Sequence, residues 1–169
     1  MDRIDFEIVE LLQKNARLSN KELAAAVGLA PSTCLVRVQR LREAKVLGQA
    51  RMEVAPEALG IGLQAMVAVR LRQHSRTQVK AFWRHLLSLR EVRSIFHVTG
   101  EHDFLVHILV RDAHHLKDLA MDAFTSRPEV AHLQTSLLFE AAHNPVLPNF
   151  LLPASTGVPA ARKGRQIKK

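Results

Sequence analysis

Cysteine is nearly absent: Cys34 is the only one in 169 residues. That excludes a disulfide framework or a multi-cysteine metal centre within one chain, and fits a reducing, cytoplasmic setting. No apolar run approaches the length needed to span a bilayer. The N-terminus, with Asp2, Asp5 and Glu7, is not a signal peptide, so no membrane role is expected. There is no nucleophile elbow, P-loop or dinucleotide glycine pattern, which argues against an enzyme. Histidine is missing before His74, although the chain has nine. Acidic residues are missing after Glu140.

What is present divides unevenly. The net charge is +8, but residues 1–55 carry +2, residues 56–143 carry +1 and residues 144–169 carry +5. Neither body is strongly basic, so contact with an acidic partner must come from local clustering. A hydrophobic fraction of 47% is enough to fill a core.

The first 55 residues carry a helical period. Ile4, Ile8, Leu11 and Leu12 share one face of a helix expected over residues 2–14, whose early acids suit its positive end. Ser19 and Glu22 form a capping-box pattern ahead of Leu23, Ala24 and Val27, and Gly28 suits the end of that helix. A third helix opens at Pro31. Cys34, Val38 and Leu41 recur on its core side with Leu35, while Ser32, Thr33, Val36, Arg37 and Arg40 form another face. Two guanidinium forks, two hydroxyls and a methyl surface are the groups that meet phosphates and base edges in a major groove. The pattern is that of a helix-turn-helix reading double-stranded DNA, with Arg37 and Arg40 leading. Residues 49–54 alternate weakly, as a short strand or wing would, and Arg51 there is expected to touch phosphate.

From residue 64 the period changes to that of strands. Strands are expected over 64–72, 92–98, 104–110 and 130–140, and helices over 77–87 and after Asp112. The order βαββαβ describes a ferredoxin-like unit. The sheet face opposite the helices carries Met66, Ala68 and Leu138 among Gln64, Gln134 and Ser136, which suggests pairing with a second subunit. His97 and His107 fall across one hairpin, but two histidines alone make a weak metal site, so no metal or other cofactor is expected. The expected class is therefore α+β: a winged helix-turn-helix over residues 1–55, a hinge over 56–63, the ferredoxin-like domain over 64–143, and a proline-rich tail over 144–169. Phe150, Leu151 and Leu152 in that tail are candidates to dock on the body. Arg162, Lys163, Arg165, Lys168 and Lys169 are candidates for added phosphate attraction.

Both modules, in this order, resemble the Lrp/AsnC or feast/famine family of transcription regulators. The resemblance covers about residues 1–143. It rests on Asp2-Arg3-Ile4-Asp5, Asn15-Ala16-Arg17-Leu18-Ser19, Val27 through Thr33, Arg37-Val38-Gln39-Arg40-Leu41, Pro56 through Gly60, and Val98 through Phe104. It implies a homodimer made through the ferredoxin-like module, often assembled into tetramers or octamers. It also implies a small-molecule effector, typically an amino acid, near the turn after the second strand. Here that turn is Val98, Thr99, Gly100, Glu101, His102 and Asp103, with Glu101 or Asp103 facing an ammonium. An effector-independent architectural DNA-binding protein is the alternative. The chain departs from the family pattern at Ala30, where a capping serine is usual, at Lys45, where glycine is usual, and at Glu101, where aspartate is usual.

Overall fold

A computed structural model describes residues 1–151 of the chain. It has two compact units: Met1–Ala50 together with the described residues from His143 onward, and Arg51–Ala142. The expected basic end, from Arg162 to Lys169, and Leu152 lie outside the described residues.

The first unit holds three helices, α1 (Arg3–Lys14), α2 (Asn20–Ala26) and α3 (Pro31–Glu43). Asp2 caps α1 through a reciprocal pair with Asp5, and Ser19 caps α2 through the same pattern with Glu22. Each pair satisfies amide donors that a helix start leaves without partners. The buried core is Ile8, Leu23, Ala24, Val27, Cys34, Val38 and Leu41, with Ile4, Leu11 and Leu12 packed beside it. Leu35 was expected in that core but is 53% exposed. It lies about 100° around the helix from Cys34, past the edge of the narrow stripe that α3 buries.

The second unit has β1 (Leu63–Leu71), α4 (Arg76–Ser88), β2 (Val92–His97), β3 (Phe104–Val110), α5 (Ala113–Leu119) and β4 (Val130–Leu138). The strands form one antiparallel sheet in the order β2-β3-β1-β4. Alternation decides which side is wet. Ala65, Val67, Val69 and Leu71 of β1 join Phe104, Val106, Ile108 and Val110 of β3 in the core beneath α4 and α5. Phe82 on α4 packs 5.3 Å from Phe104 and 6.4 Å from Phe124, ring centre to ring centre. After α5 the helix widens over Ala120–Thr125, where the Ser126 amide reaches back to the Met121 carbonyl.

Three expectations at the ends of elements need correction. Residues 49–54 form no strand, because their weak alternation has no partner strand to pair with. The last strand stops at Leu138 rather than residue 140, and Phe139 is left 95% exposed beyond the reach of the helices. Phe150 and Leu151 are exposed rather than docked.

Candidate functional site

The α2–turn–α3 segment is fixed by backbone chemistry at both helix ends. The Leu29 amide donates to the Ala24 carbonyl at 2.9 Å and the Gly28 amide to Ala25 at 3.4 Å, with Gly28 at φ +68°. This is the Schellman closure, and it needs a left-handed residue that glycine supplies without a Cβ clash. The Asn20 side-chain amide donates to the Pro31 carbonyl at 2.7 Å, tying the start of α2 to the start of α3. Ala30 occupies the cap of α3 in the right backbone conformation but makes no side-chain bond. At the far end Lys45 takes the position that Gly28 takes after α2, at φ +57°, with Val46 donating to Leu41.

Ser32, Thr33, Val36, Arg37 and Arg40 come together as expected, lining one open hollow of about 420 Å³ along α3. Val36 is 67% exposed, an apolar side chain held out between hydroxyls and cations. The arginines are less simple than their spacing suggested. Arg37 Nη1 donates to Asp2 Oδ2 at 2.7 Å and to Asp5 Oδ1 at 2.8 Å, while Arg40 Nη2 donates to Asp5 Oδ2 at 2.7 Å. Asp5 is fully buried, whereas the Arg37 side chain is 26% exposed and that of Arg40 60%. Burial alone would raise the Asp5 carboxyl's pKa. Hydrogen bonding from the Asp2 amide and Arg37, and the charge of Arg40, together hold it below its ordinary value. The Asp5 amide and Arg37 likewise lower Asp2, and the two carboxylates raise Arg37. Sequence reasoning assigned Asp2 and Asp5 only to the helix end. The signal it passed over is that Asp5 sits at helical spacing with Ile8 and Leu12, an acid on an apolar stripe.

Arg51 is exposed in irregular backbone and belongs to the second unit, without the strand expected to present it.

The turn from Val98 to Asp103 closes the β2–β3 hairpin, with the Val98 amide donating to the Asp103 carbonyl at 3.0 Å. Thr99, Gly100 and Glu101 are exposed, Val98 and His102 are half-buried, and Gly100 has φ +112°. Asp103 was one of two acids expected to face an ammonium. It is buried and uses both oxygens inside the fold: Oδ2 accepts from the Leu71 amide at 2.7 Å, and Oδ1 lies 2.7 Å from His74 Nδ1. Its own amide donates to the Val69 carbonyl. Asp103 therefore ties the turn to the end of β1, and Glu101 is the acid left facing outward. His102 stacks on His132 with ring centres 6.4 Å apart.

His97 and His107 do not converge. His97 pairs in register with Phe104 and stacks on it at 5.0 Å, on the helix side of the sheet. His107 pairs with Met66 on the opposite face and bonds Gln64 at 2.9 Å. Among the described residues no group of three or more His, Cys, Asp or Glu is placed to hold a metal. No described helix is long and apolar enough to cross a membrane.

That opposite face of the sheet is built in register rows. Phe96, Leu105, Ala68 and Gln134 form one row, and Ser94, His107, Met66 and Ser136 the next. No helix of this unit covers it, and Phe96 stays exposed.

The family model for an AsnC-type helix-turn-helix domain matches residues 1–42, and that for the Lrp/AsnC ligand-binding domain matches residues 64–145. The transcriptional regulator AldR of Mycolicibacterium smegmatis is 37% identical over 83% of this chain and 82% of its own. The leucine-responsive regulatory protein of Rhizobium meliloti is 34% identical over 81% and 88%. A transcriptional regulator of Neisseria meningitidis, solved as a complex with L-Met, superposes with a TM-score of 0.83 at 32% identity, covering 90% of this chain and 99% of that one. With the helix-turn-helix and the four-stranded sheet both matched, and in the same order, the chain belongs to the Lrp/AsnC family of DNA-binding transcription regulators, which are not enzymes.

Proposed function

We propose that this regulator reads a specific DNA site with α3 and changes its occupancy in response to an amino acid or a closely related metabolite. The observation that carries the first half is the composition of the α3 face. Ser32, Thr33, Val36 and Arg40 stand exposed together, offering donors for phosphate and base edges and a methyl surface for thymine. Arg37 lies among them, and Arg51, exposed in the segment after α3, is assigned to backbone phosphate.

The second half rests on the hairpin turn and on the relative bound to L-Met. Exposed backbone at Thr99 and Gly100 suits a carboxylate, and Glu101 suits an ammonium, with Val98, His102 and Asp103 shaping the turn. The uncovered sheet face is assigned to a homodimer, since paired readers match half-sites ~34–36 Å apart. Tetramers or octamers follow if dimers also meet around the turns.

The test is selection of duplexes from a random pool by the full chain. Gel-shift titration of the selected and shuffled duplexes then follows, with and without a pool of the common amino acids. A selective shift that the pool alters supports the proposal, and subdividing the pool names the effector. A selective shift the pool leaves unchanged favours the architectural reading. No enrichment over shuffled DNA removes α3 as a specific reader.

A further inference from the structure

On the α3 face, two cations stand one turn apart and share one buried anion. Asp5 accepts from Arg37 at one oxygen and from Arg40 at the other, and the second oxygen also takes the Asp2 amide at 3.0 Å. Asp2 in turn accepts from the Asp5 amide at 2.9 Å and holds Arg37 from the exposed side. All four side chains therefore form one closed lattice across α1 and α3. We propose that Asp5 is a positioning residue for DNA recognition, which orients Arg37 and Arg40 before DNA arrives and neutralises the middle of the reading face. This rests on α3 being the reader, and adds to that reading the source of its selectivity.

Three physical consequences support the assignment. Without an anion between them, guanidinium groups at i and i+3 repel and swing apart along flexible stems. The shared carboxylate fixes their separation, so less rotamer freedom is lost when DNA binds. The clasp on Arg37 runs through Nη1 alone, so the Nε and Nη2 edge is not part of it. That edge is a two-donor fork of the kind that reads guanine. Finally, two arginines and two aspartates sum to no net charge. A neutral centre gains little from phosphate anywhere on a duplex, and so leaves discrimination to base edges.

The test compares the full chain with its Asp5→Asn and Asp2→Asn variants. Affinity for a duplex selected by the wild-type protein and for a shuffled duplex is measured over a range of salt concentrations. Asp5→Asn frees Arg40 toward phosphate and leaves Arg37 held by Asp2 alone. Binding to shuffled DNA should tighten, and its salt slope should steepen by about one to two charges at ~0.9 per phosphate. The ratio of selected to shuffled affinity should fall about ten-fold, within the range one well-placed fork supplies. Asp2→Asn removes only the exposed half of the clasp and should move the same quantities in the same direction by less. It carries the test should Asp5→Asn not fold.

A purely structural role for Asp5 would weaken both duplexes together and leave the slope alone, which would overturn the proposal. So would an unchanged ratio in whichever variants fold. Absence of any preference in the wild-type protein would instead overturn α3 as a specific reader.

Discussion

Among the described residues of the first unit Asp5 is the one fully buried carboxylate, and its ionisation is a stability term as well as a recognition term. Its folded pKa lies below the unfolded value, so the sign is set. Stability is fully present above the unfolded value, near 4, and is lost as pH falls through the lower folded one. Asp5→Asn should therefore lower stability at pH 7 by ~2 kcal/mol, less than for a wholly buried pair because both arginines keep some solvent. Near pH 3 the gap between variant and wild type should be narrower than at pH 7, and it should close only once Asp5 is protonated in the folded state. Denaturant titrations followed by circular dichroism at the two pH values measure this, since Trp83, the only tryptophan, reports on the other unit. A gap as wide at pH 3 as at pH 7 would mean the ionised form contributes nothing. Residue by residue, the α3 face was legible from spacing, because a helix repeats every 3.6 residues and puts Thr33, Arg37 and Arg40 side by side. Who would hold those arginines was not, because Asp5 and Arg40 lie 35 positions apart and only the packing of α1 on α3 brings them together. The same limit hid the use of Asp103, whose partner amide belongs to Leu71.

At the scale of the element, α3 is under-optimised at both ends in ways the sequence displayed directly. Ala30 has cap geometry, φ −66° and ψ +144°, but no oxygen to offer the first amides. Lys45 sits left-handed where a Cβ is strained. Ala30→Ser should stabilise the first unit by about 1 kcal/mol. Lys45→Gly should add ~0.5–1 kcal/mol, because relief of strain exceeds the entropy glycine adds to the unfolded chain. The two sites are at opposite ends of the helix, so the double variant should show the sum of both effects. Thermal melting checks all three proteins, and a destabilised Lys45→Gly would mean that the lysine side chain has a favourable contact outweighing its backbone. Elements with strong periodicity were readable to within a residue or two, as for α4 and β3. The segment over 49–54 was not, because whether such a segment becomes a strand depends on a partner edge, which no local pattern reveals.

The second unit is organised around a sheet with one face that none of its own helices covers. Helices α4 and α5 seal one side around Phe82, Phe104 and Phe124. On the other, Met66, Ala68, Leu105 and Phe96 lie in adjoining rows near polar Gln134 and Ser136. Such a mixed face tolerates water but gains from a second copy that removes the apolar rows from it. Met66 is the discriminating position, being near the centre of the face and on one of the two strands with neighbours on both sides. If the face is solvated, Met66→Glu changes little, because a carboxylate there stays in water. If two copies meet there, the same substitution places like charges across a two-fold axis in a desolvated patch, which costs several kcal/mol. Sedimentation velocity should then show wild-type dimers or larger species, and a Met66→Glu protein weakened in self-association by at least ~100-fold, about 2.7 kcal/mol. Its circular dichroism should be unchanged, since Met66 is outside the sealed core. Selective DNA binding should fall with the dimer, because a lone reader spans one half-site and loses the second set of contacts that a rigid pair makes together. A Met66→Glu protein that sediments as the wild type does would locate the subunit interface elsewhere and leave this face to solvent.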